Sequence, residues 1–352
     1  MVSTKIVTVD PLNPKEEDLR QAAKVLVRGG LVIIPTETVY GIAASMLNKQ
    51  ALERLYEIKN RPKDKPFSVL IDNKDRIEEL ARNIPIPAYK LADKFWPGPL
   101  TLVLKSKDGG SVGIRMPDDL IALKIIGLTG APLACPSANL HGKPAPIDFE
   151  DAIKDFKGLV DLAIDAGTTK VGVESSVVDL TVEPINILRE GAIKKEAINE
   201  VARKKTILFI CTGNSCRSVM AQALLVKKLF EKKRHDVEVL SAGMMIGGFG
   251  ATDATMEVLK QEGIDVSQHR SRKVTKEMIK KSDIILVMER LHEERILMLA
   301  PEAKNRVFLL KEFARIEDSN LDITDPIGRP FEFYEKVFAV IKEAVERITN
   351  II

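Results

Sequence analysis

Two cysteines and an arginine stand close together in FICTGNSCRSVMAQ, residues 209–222. Cys211 and Cys216 lie five positions apart, and Arg217 follows directly. The whole chain contains only three cysteines. The pair could therefore form a disulfide, supply half of a metal site, or provide a nucleophile with a companion thiol.

The surrounding pattern favours the third alternative. The apolar run TILFIC (206–211) predicts a buried strand, and SVMAQALLVKKLFEKK (218–233) has the spacing of a helix. A turn between a strand and a helix presents successive backbone N–H groups to an anion. Arg217 can bind two phosphate oxygens through its planar guanidinium, and Cys211 would lie beneath the phosphorus as nucleophile. The stretch therefore predicts a phosphate-binding loop that carries a reactive thiol.

The other residues of this loop fit the same prediction. Gly213 permits a tight turn, and Asn214 is of a type that tolerates unusual backbone angles. A helix N-terminus and a guanidinium also stabilise a thiolate, and Ser218 could donate a hydrogen bond to the sulfur. Thr212 and Ser215 complete the loop.

Length and composition predict two globular domains. The 352 residues are too many for one typical core, and 45% hydrophobic with 29% charged residues is a globular composition. A new apolar strand begins at Thr206 after a basic cluster, so we expect domains at 1–203 and 204–352. Strand signals fall at 31–36, 100–105, 175–181, 206–211, 237–243, 283–289 and 306–310, and helix signals at 48–60, 218–233, 252–263 and 331–352.

This alternation predicts an α/β fold in both halves. Strand and helix signals alternate most clearly in the second half, which favours a parallel sheet with helices on both faces. Ligands of such sheets bind beyond the carboxyl ends of the strands. The loop after 206–211 lies at that edge.

Several classes of protein are excluded by simple counts. A net charge of +3 does not suit a strongly basic nucleic-acid coat. The N-terminus lacks the pattern of a signal peptide, and no apolar run reaches the roughly 20 residues of a membrane span. Three cysteines cannot make a disulfide framework, and no C-x-x-C pair is present. We therefore expect a cytoplasmic protein without a membrane segment or a metal site.

From residue 205 to the end, the sequence resembles the low-molecular-weight protein phosphatase family. Cys211, Arg217 and Ser218 match the family loop C-x5-R-S, and Asp325 before a proline matches its late Asp-Pro. The resemblance implies a doubly wound four-stranded parallel sheet. It implies that Cys211 attacks phosphorus to form a phosphocysteine, while Asp325 protonates the leaving group and then activates water. It implies phosphorylated proteins as substrates and no cofactor.

Details of the loop bear on the substrate. Ser215, small and polar, resembles the protein-arginine phosphatase branch, whereas members that act on phosphotyrosine usually carry isoleucine there and aromatic residues after Asp-Pro, where this chain has Ile327. Phosphoarginine is therefore expected, with phosphotyrosine as the alternative. The match also places His269 as support for the loop asparagine. Cys216 could form a reversible disulfide with Cys211 under oxidation, or be a packed free thiol.

The first half carries polar residues in several separate motifs. GGLVIIPTETVYGIAAS (29–45) places threonines and a tyrosine at the end of a buried strand, and Lys59, Arg61 and Lys65 cluster around prolines. Such cations could converge on a polyphosphate, although a charge run is more often a solvated face. PTETVYG, K-x-R-P, SAN and LREG, in this order, resemble the threonylcarbamoyl-AMP synthase family over about residues 5–200.

This second resemblance implies a YrdC-like twisted mixed sheet with a deep basic concavity. It implies that L-threonine, bicarbonate and ATP give threonylcarbamoyl-AMP and pyrophosphate, with Mg²⁺ accompanying ATP. The product would serve threonylcarbamoyladenosine formation in tRNA, with tRNA or the tRNA-modification machinery as a partner. Position by position, the match assigns ATP to Lys59, Arg61, Ser137, Asn139 and Arg189, and threonine to Thr36, Arg115 and Ser175.

The two resemblances together predict a bifunctional enzyme, a nucleotidyltransferase fused to a protein phosphatase. One alternative for the first half belongs to a different class. A concave basic fold can also hold RNA, so a tRNA-binding or double-stranded-RNA-binding module without synthase activity stays open.

Overall fold

The computed structural model of the chain describes residues 2–62, 65–140 and 142–352. The chain divides into two units, Met1–Ala202 and Arg203–Ile352. Each unit has its own sheet and its own apolar core.

The first unit is built on a ten-stranded sheet. Its strands are β1 (Lys5–Thr8), β2 (Val32–Ile34), β3 (Gly41–Ser45), β4 (Ser68–Leu70), β5 (Leu100–Lys105), β6 (Ser111–Arg115), β7 (Leu133–Ala134), β8 (Leu162–Asp165), β9 (Ser176–Asp179) and β10 (Asn186–Arg189). Its helices are α1 (Glu16–Val27), α2 (Lys49–Lys59), α3 (Ile77–Leu80), α4 (Ile86–Phe95), α5 (Leu120–Thr129), α6 (Phe149–Lys154) and α7 (Lys195–Arg203), with a 3₁₀ turn at Lys74–Arg76.

The strand order is β1-β8-β2-β3-β7-β4-β6-β5-β9-β10. The sheet is mixed, because it contains parallel pairs such as β1 with β8 and antiparallel pairs such as β5 with β6. The mixed-sheet α/β fold expected for the first half is confirmed.

The middle of this sheet is covered by helices on both faces. In β2, Val32 and Ile34 pack in one cluster with Leu26 of α1, whereas Ile33 packs in another with Leu55 of α2. Because both faces of the strand are buried, the sequence shows an unbroken apolar run instead of alternation. The polar residues that follow β2 are thereby held at the edge of a rigid layer.

The second unit contains four parallel strands in the order β12-β11-β13-β14. These are β11 (Lys205–Cys211), β12 (Val237–Gly243), β13 (Ile284–Val287) and β14 (Val307–Leu309). The helices are α8 (Arg217–Glu231), α9 (Asp253–Gln261), α10 (Lys276–Lys281), α11 (Arg290–Leu299), α12 (Leu310–Phe313) and α13 (Phe331–Ile348), with a 3₁₀ turn at Pro301–Arg306. The doubly wound four-stranded parallel sheet expected for the second half is confirmed.

Strand β11 is central and buried on both sides. Ile207 and Phe209 pack into one cluster, and Leu208 and Ile210 into the other. The last residue of this strand is Cys211, so the thiol is buried at the carboxyl edge of the sheet. Among the described helices, none is both long and apolar enough to cross a membrane.

The start of α2 generates a first prediction. The Asn48 side chain accepts a hydrogen bond from Ala51 N at 2.9 Å and caps the helix, which ends at Lys59. We expect Asn48→Ala to lower the free energy of unfolding by about 1 kcal/mol, and Asn48→Asp, which keeps the acceptor, to retain it. The only tryptophan, Trp96, is buried in the first unit, so its fluorescence during urea unfolding reports this unit. Equal losses in both variants would contradict the capping role.

Candidate active sites

A cavity of about 530 Å³ opens at the centre of the ten-stranded sheet. Its walls come from chain segments far apart in sequence, both from within strands and from the loops that connect them. The sequence-predicted residues that line it are Thr36, Arg61, Arg115, Ser137, Ser175 and Arg189. Two further predicted residues, Lys59 and Asn139, contact the wall of the cavity through Ser137.

Lys59 is the last residue of α2 and is buried. Its Nζ donates to Ser137 O at 2.6 Å and to Asn139 O, and lies 3.4 Å from Asn139 Oδ1. Burial, reinforced by the neighbouring Arg61, lowers the pKa of Lys59 to about 8. The amine is thus still charged at neutral pH, where carbonyl oxygens stabilise the ammonium form. Lys59 therefore ties the end of α2 to the SAN segment and places a positive charge there.

Arg61 stands two positions beyond this lysine and lines the cavity. Its Nε donates to Lys65 O at 2.9 Å and its Nη2 to Pro66 O at 3.0 Å. The guanidinium carbon lies 5.3 Å from the ring centre of Phe67. These contacts hold a second cation at the cavity wall.

Arg115 ends β6 and is also buried. Its Nη2 pairs with Glu37 Oε2 at 2.7 Å, its Nη1 donates to Thr38 Oγ1 at 2.9 Å, and its Nε to Gly98 O at 3.2 Å. The Thr36 hydroxyl lies 2.9 Å from Thr38 Oγ1. Sequence analysis did not single out Glu37, although it lies inside PTETVYG. A ligand carboxylate that binds Arg115 would therefore share the guanidinium with the Glu37 carboxylate.

Arg189 ends β10 and also lines the cavity. Its Nε donates to Ser175 O at 2.9 Å, its Nη2 to Ser175 Oγ at 3.3 Å, and its Nη1 pairs with Glu174. The Ser175 hydroxyl in turn lies 2.9 Å from Thr101 Oγ1. The structure thus brings two predicted residues, one assigned to the nucleotide and one to threonine, into direct contact.

In the second unit, the loop from β11 to α8 wraps around the thiol of Cys211. The sulfur lies 3.0 Å from Ser218 Oγ and accepts a hydrogen bond from Asn214 N at 3.3 Å. The side chain of Cys211 is buried beneath the loop. A hydroxyl and a backbone N–H directed at sulfur are the contacts that stabilise a thiolate.

Asn214 holds the loop in this shape. Its φ of 54° is left-handed, which few residues other than glycine adopt without cost. The side chain offsets that cost by donating to Ser218 Oγ at 3.0 Å and Ser241 Oγ at 2.9 Å, and by accepting from Arg272 N at 3.0 Å. His269 Nε2 lies 2.7 Å from the Asn214 carbonyl, the contact that the sequence resemblance predicts.

Arg217 opens α8 and is almost fully buried. Its Nη1 bonds Glu289 and donates to Ile323 O at 2.7 Å, while its Nη2 bonds Asp325 and donates to Thr212 Oγ1 at 3.2 Å. The structure therefore brings the arginine and the aspartate, 108 positions apart, into one ion pair. The proposed nucleophile lies at the start of the same loop.

Two residues of this site escaped the sequence analysis. Glu289 pairs with the arginine, and the buried His292 has its Nε2 3.0 Å from Thr212 Oγ1. Both residues follow the carboxyl end of β13. The sequence pattern predicted a strand at 283–289, which placed the glutamate inside the strand. Their position could have identified them, because polar residues just after a buried strand of a parallel sheet lie where ligands bind.

Cys216 follows Ser215 and contacts residues outside the loop. Cys216 Sγ is 3.6 Å from Ser215 Oγ, 3.5 Å from Thr252 Oγ1 and 3.9 Å from Tyr334 OH. Burial raises the pKa of Tyr334 above its ordinary value. Cys211 and Cys216 are both free buried thiols, and their pairing under oxidation stays a prediction.

The closeness of β12 to the loop generates a second prediction. A Cβ on Gly243 would lie 2.8 Å from Asn214 N and 2.9 Å from Thr212 O, both of them backbone atoms of the loop. We expect Gly243→Ala to displace the loop and lower phosphate-ester hydrolysis about a hundredfold. Gly250→Ala is the matched control, because nothing lies within 4 Å of its added Cβ. Equal activity of the two variants would contradict this prediction.

Comparison with known proteins matches the two units separately. A Sua5, YciO and YrdC family model, described as telomere recombination, matches residues 24–191. A model described as low molecular weight phosphotyrosine protein phosphatase matches residues 206–352.

Individual relatives agree with these matches. A threonylcarbamoyl-AMP synthase of Pyrococcus abyssi is 38% identical over 268 residues, covering 68% of this chain and 79% of the relative. The crystal structure of P. abyssi Sua5 complexed with L-threonine is similar with a TM-score of 0.55 and 30% identity, covering 68% of this chain and 92% of that one. A low molecular weight protein-tyrosine-phosphatase, EpsP, of Ralstonia nicotianae is 36% identical over 143 residues, covering 40% of this chain and 92% of the relative.

Proposed function

The chain belongs to the threonylcarbamoyl-AMP synthase family and to the low-molecular-weight protein phosphatase family, and we propose from this double membership that it is a bifunctional enzyme. The first unit makes threonylcarbamoyl-AMP for tRNA modification. The second unit removes phosphoryl groups from proteins through a phosphocysteine, with phosphoarginine as the preferred substrate.

The cavity of the first unit supports the synthase proposal. It gathers residues from separate motifs around a volume within the usual range for small-molecule sites. In the reaction, the threonine nitrogen bonds to the carbon of bicarbonate with loss of water. An oxygen of the resulting carbamate then attacks the α-phosphorus of ATP, and pyrophosphate leaves. No step needs a protein nucleophile, so catalysis depends on positioning and charge neutralisation.

Each predicted residue has a role in that scheme. Lys59 and Arg61 neutralise the ATP phosphates, and the SAN segment and Arg189 hold the nucleotide. Arg115 binds the threonine carboxylate beside Thr36 and Ser175. Mg²⁺ accompanies ATP as MgATP, because the metal prefers phosphate and water oxygens to dedicated protein cages.

A pair of variants of the full chain tests whether two separate sites exist. We expect Lys59→Ala to lower threonine- and bicarbonate-dependent pyrophosphate release about a hundredfold, because a buried cation at the phosphates is lost. The same variant keeps phosphatase activity. Cys211→Ser should abolish hydrolysis of phosphate esters and keep pyrophosphate release.

Two outcomes would count against this scheme. Absence of threonine-dependent pyrophosphate release by the wild type would favour the RNA-binding alternative for the first unit. Loss of both activities in either single variant would contradict two independent sites.

In the second unit, the thiolate of Cys211 attacks phosphorus while the bond to the leaving atom breaks. Asp325, which takes up a proton from solvent once the phosphoryl group has displaced it from Arg217, gives that proton to the leaving atom, and the phosphoryl group stays on sulfur. Water, deprotonated by Asp325, then attacks the phosphocysteine and releases phosphate and thiolate. Arg217 binds the phosphoryl oxygens throughout. Because Arg217 holds the Asp325 carboxylate in the free enzyme, the phosphoryl group must take over part of that contact.

Ser215 supports phosphoarginine as the substrate. Its side chain turns back over the loop, since a Cβ on Gly213 would meet Ser215 Oγ at 3.3 Å. A hydroxyl here can orient the attacking water and leaves room for an N-linked phosphoryl group. The Ralstonia relative is named a tyrosine phosphatase, so phosphotyrosine is the competing substrate.

Substitution at this position tests the preference. We expect the wild type to hydrolyse phosphoarginine peptides faster than phosphotyrosine peptides, measured as kcat/KM. Ser215→Ile should reverse the preference by at least about tenfold, because an apolar side chain replaces the hydroxyl. Ser215→Thr, which keeps the hydroxyl, is the control. Faster phosphotyrosine turnover by the wild type would contradict the phosphoarginine assignment.

A further inference from the structure

His292 is a buried histidine to which the reaction scheme assigns no role. It lies in the first turn of α11, and only 1% of the residue is exposed. Its Nε2 is 3.0 Å from Thr212 Oγ1 in the phosphate-binding loop. Its Nδ1 is buried and has no hydrogen-bond partner in the part of the chain that the structure describes. A leucine would fill this space without leaving a polar nitrogen unpaired.

The directions of the hydrogen bonds define what the ring does. Arg217 Nη2 donates to Thr212 Oγ1 at 3.2 Å, because a guanidinium has no acceptor. The Thr212 proton is then free to go to His292 Nε2, provided that this nitrogen is unprotonated. Burial lowers the pKa of His292 and favours the neutral ring. The bonds therefore run from Arg217 to Thr212 to His292.

The charged groups around the ring partly cancel. Glu289, whose Oε2 lies 4.0 Å from Nε2, and Asp325 raise the pKa of His292, whereas Arg217 and Arg295 lower it. The first of these carboxylates is bound to the arginine and does not displace the threonine hydroxyl from the ring. The His292 ring therefore stays a neutral hydrogen-bond acceptor beside these charged side chains.

The Nη2 atom of Arg217 needs a partner that stays in place during the reaction, as Glu289 and Ile323 O do for Nη1. The Nη2 atom has two partners, Asp325 and Thr212. When the aspartate turns to the leaving group, the threonine hydroxyl is the partner that stays. The Nε of Arg217 is buried without a partner among the described residues, which leaves a donor for a phosphoryl oxygen.

We propose that His292 is a positioning residue of the phosphatase reaction, which holds the Thr212 hydroxyl as the fixed partner of the Nη2 atom of Arg217. The inference rests on the proposed phosphatase function and is independent of which phosphorylated residue is the substrate. His292 touches neither substrate nor sulfur. It acts by keeping the guanidinium in one orientation while Asp325 changes partners.

The test uses the full chain with para-nitrophenyl phosphate as substrate and vanadate as the oxyanion probe. We expect His292→Leu to lower kcat by roughly 10- to 100-fold and to weaken vanadate binding, with a smaller change in KM. His292→Gln places an amide oxygen near the former Nε2 and should keep kcat within about threefold of the wild type. His235→Leu is the matched control, because His235 is exposed and its loss should leave kcat unchanged.

A double-mutant cycle separates positioning from general damage. Thr212→Val should lower kcat as much as His292→Leu does, and the double variant should lose no more than either single one, because both break the same link. Melting curves followed by circular dichroism check that each variant is folded. If His292→Leu does not fold, the Gln and Val variants decide the question.

Three results would overturn the proposal. They are a His292→Leu variant with wild-type kcat and vanadate affinity, a His292→Gln variant no better than Leu, or additive losses in the double variant. If the wild type itself does not hydrolyse the ester, the phosphatase function fails. Calorimetric vanadate binding across the same variants still shows whether His292 positions the oxyanion site.

Discussion

Cations that are buried before any anionic substrate arrives impose the main constraint on both units. Lys59, Arg115 and Arg217 are each at most 6% exposed. Burying an unpaired charge costs several kcal/mol, so the protein must supply each cation with internal partners. Glu37 compensates one arginine, and Asp325 contributes to compensating the other. Much of the polar structure at each site follows from this need.

The two units meet the constraint in different ways, and the difference bears on how substrates bind. Lys59 is held by backbone carbonyls, which are neutral, so no carboxylate would compete with the polyphosphate that we propose it binds. Arg217 is held by Glu289 and Asp325, so an incoming phosphoryl group must compete with carboxylates. In the proposed reaction, that competition moves Asp325 from the arginine to the leaving group. The proposal therefore couples substrate binding in the second unit to release of the general acid.

Sequence reasoning located the strands and helices with the strongest local patterns, which are seven of the fourteen strands that the structure describes and a smaller share of the helices. The strand at 100–105 and the strand at 237–243 have the predicted bounds, since apolar runs with clear ends specify them. Glu289 and His292 were missed, because their importance depends on β13 lying beside β11, which no local pattern encodes. The ion pair between Arg115 and Glu37 could not be predicted from sequence either, since the two residues are 78 positions apart.

The phosphate-binding loop shows why a motif is necessary for such a site but not sufficient. C-x5-R supplies the thiol and the guanidinium, yet the shape of the loop is set by its neighbours. The left-handed Asn214 is held by Ser241 on β12 and by the Arg272 backbone, and Gly243 leaves room that any side chain would fill. A chain with the same seven-residue motif and a larger residue at 243 would carry the chemistry without the cradle. The shape that makes the motif a phosphate-binding loop therefore depends on the sheet around it.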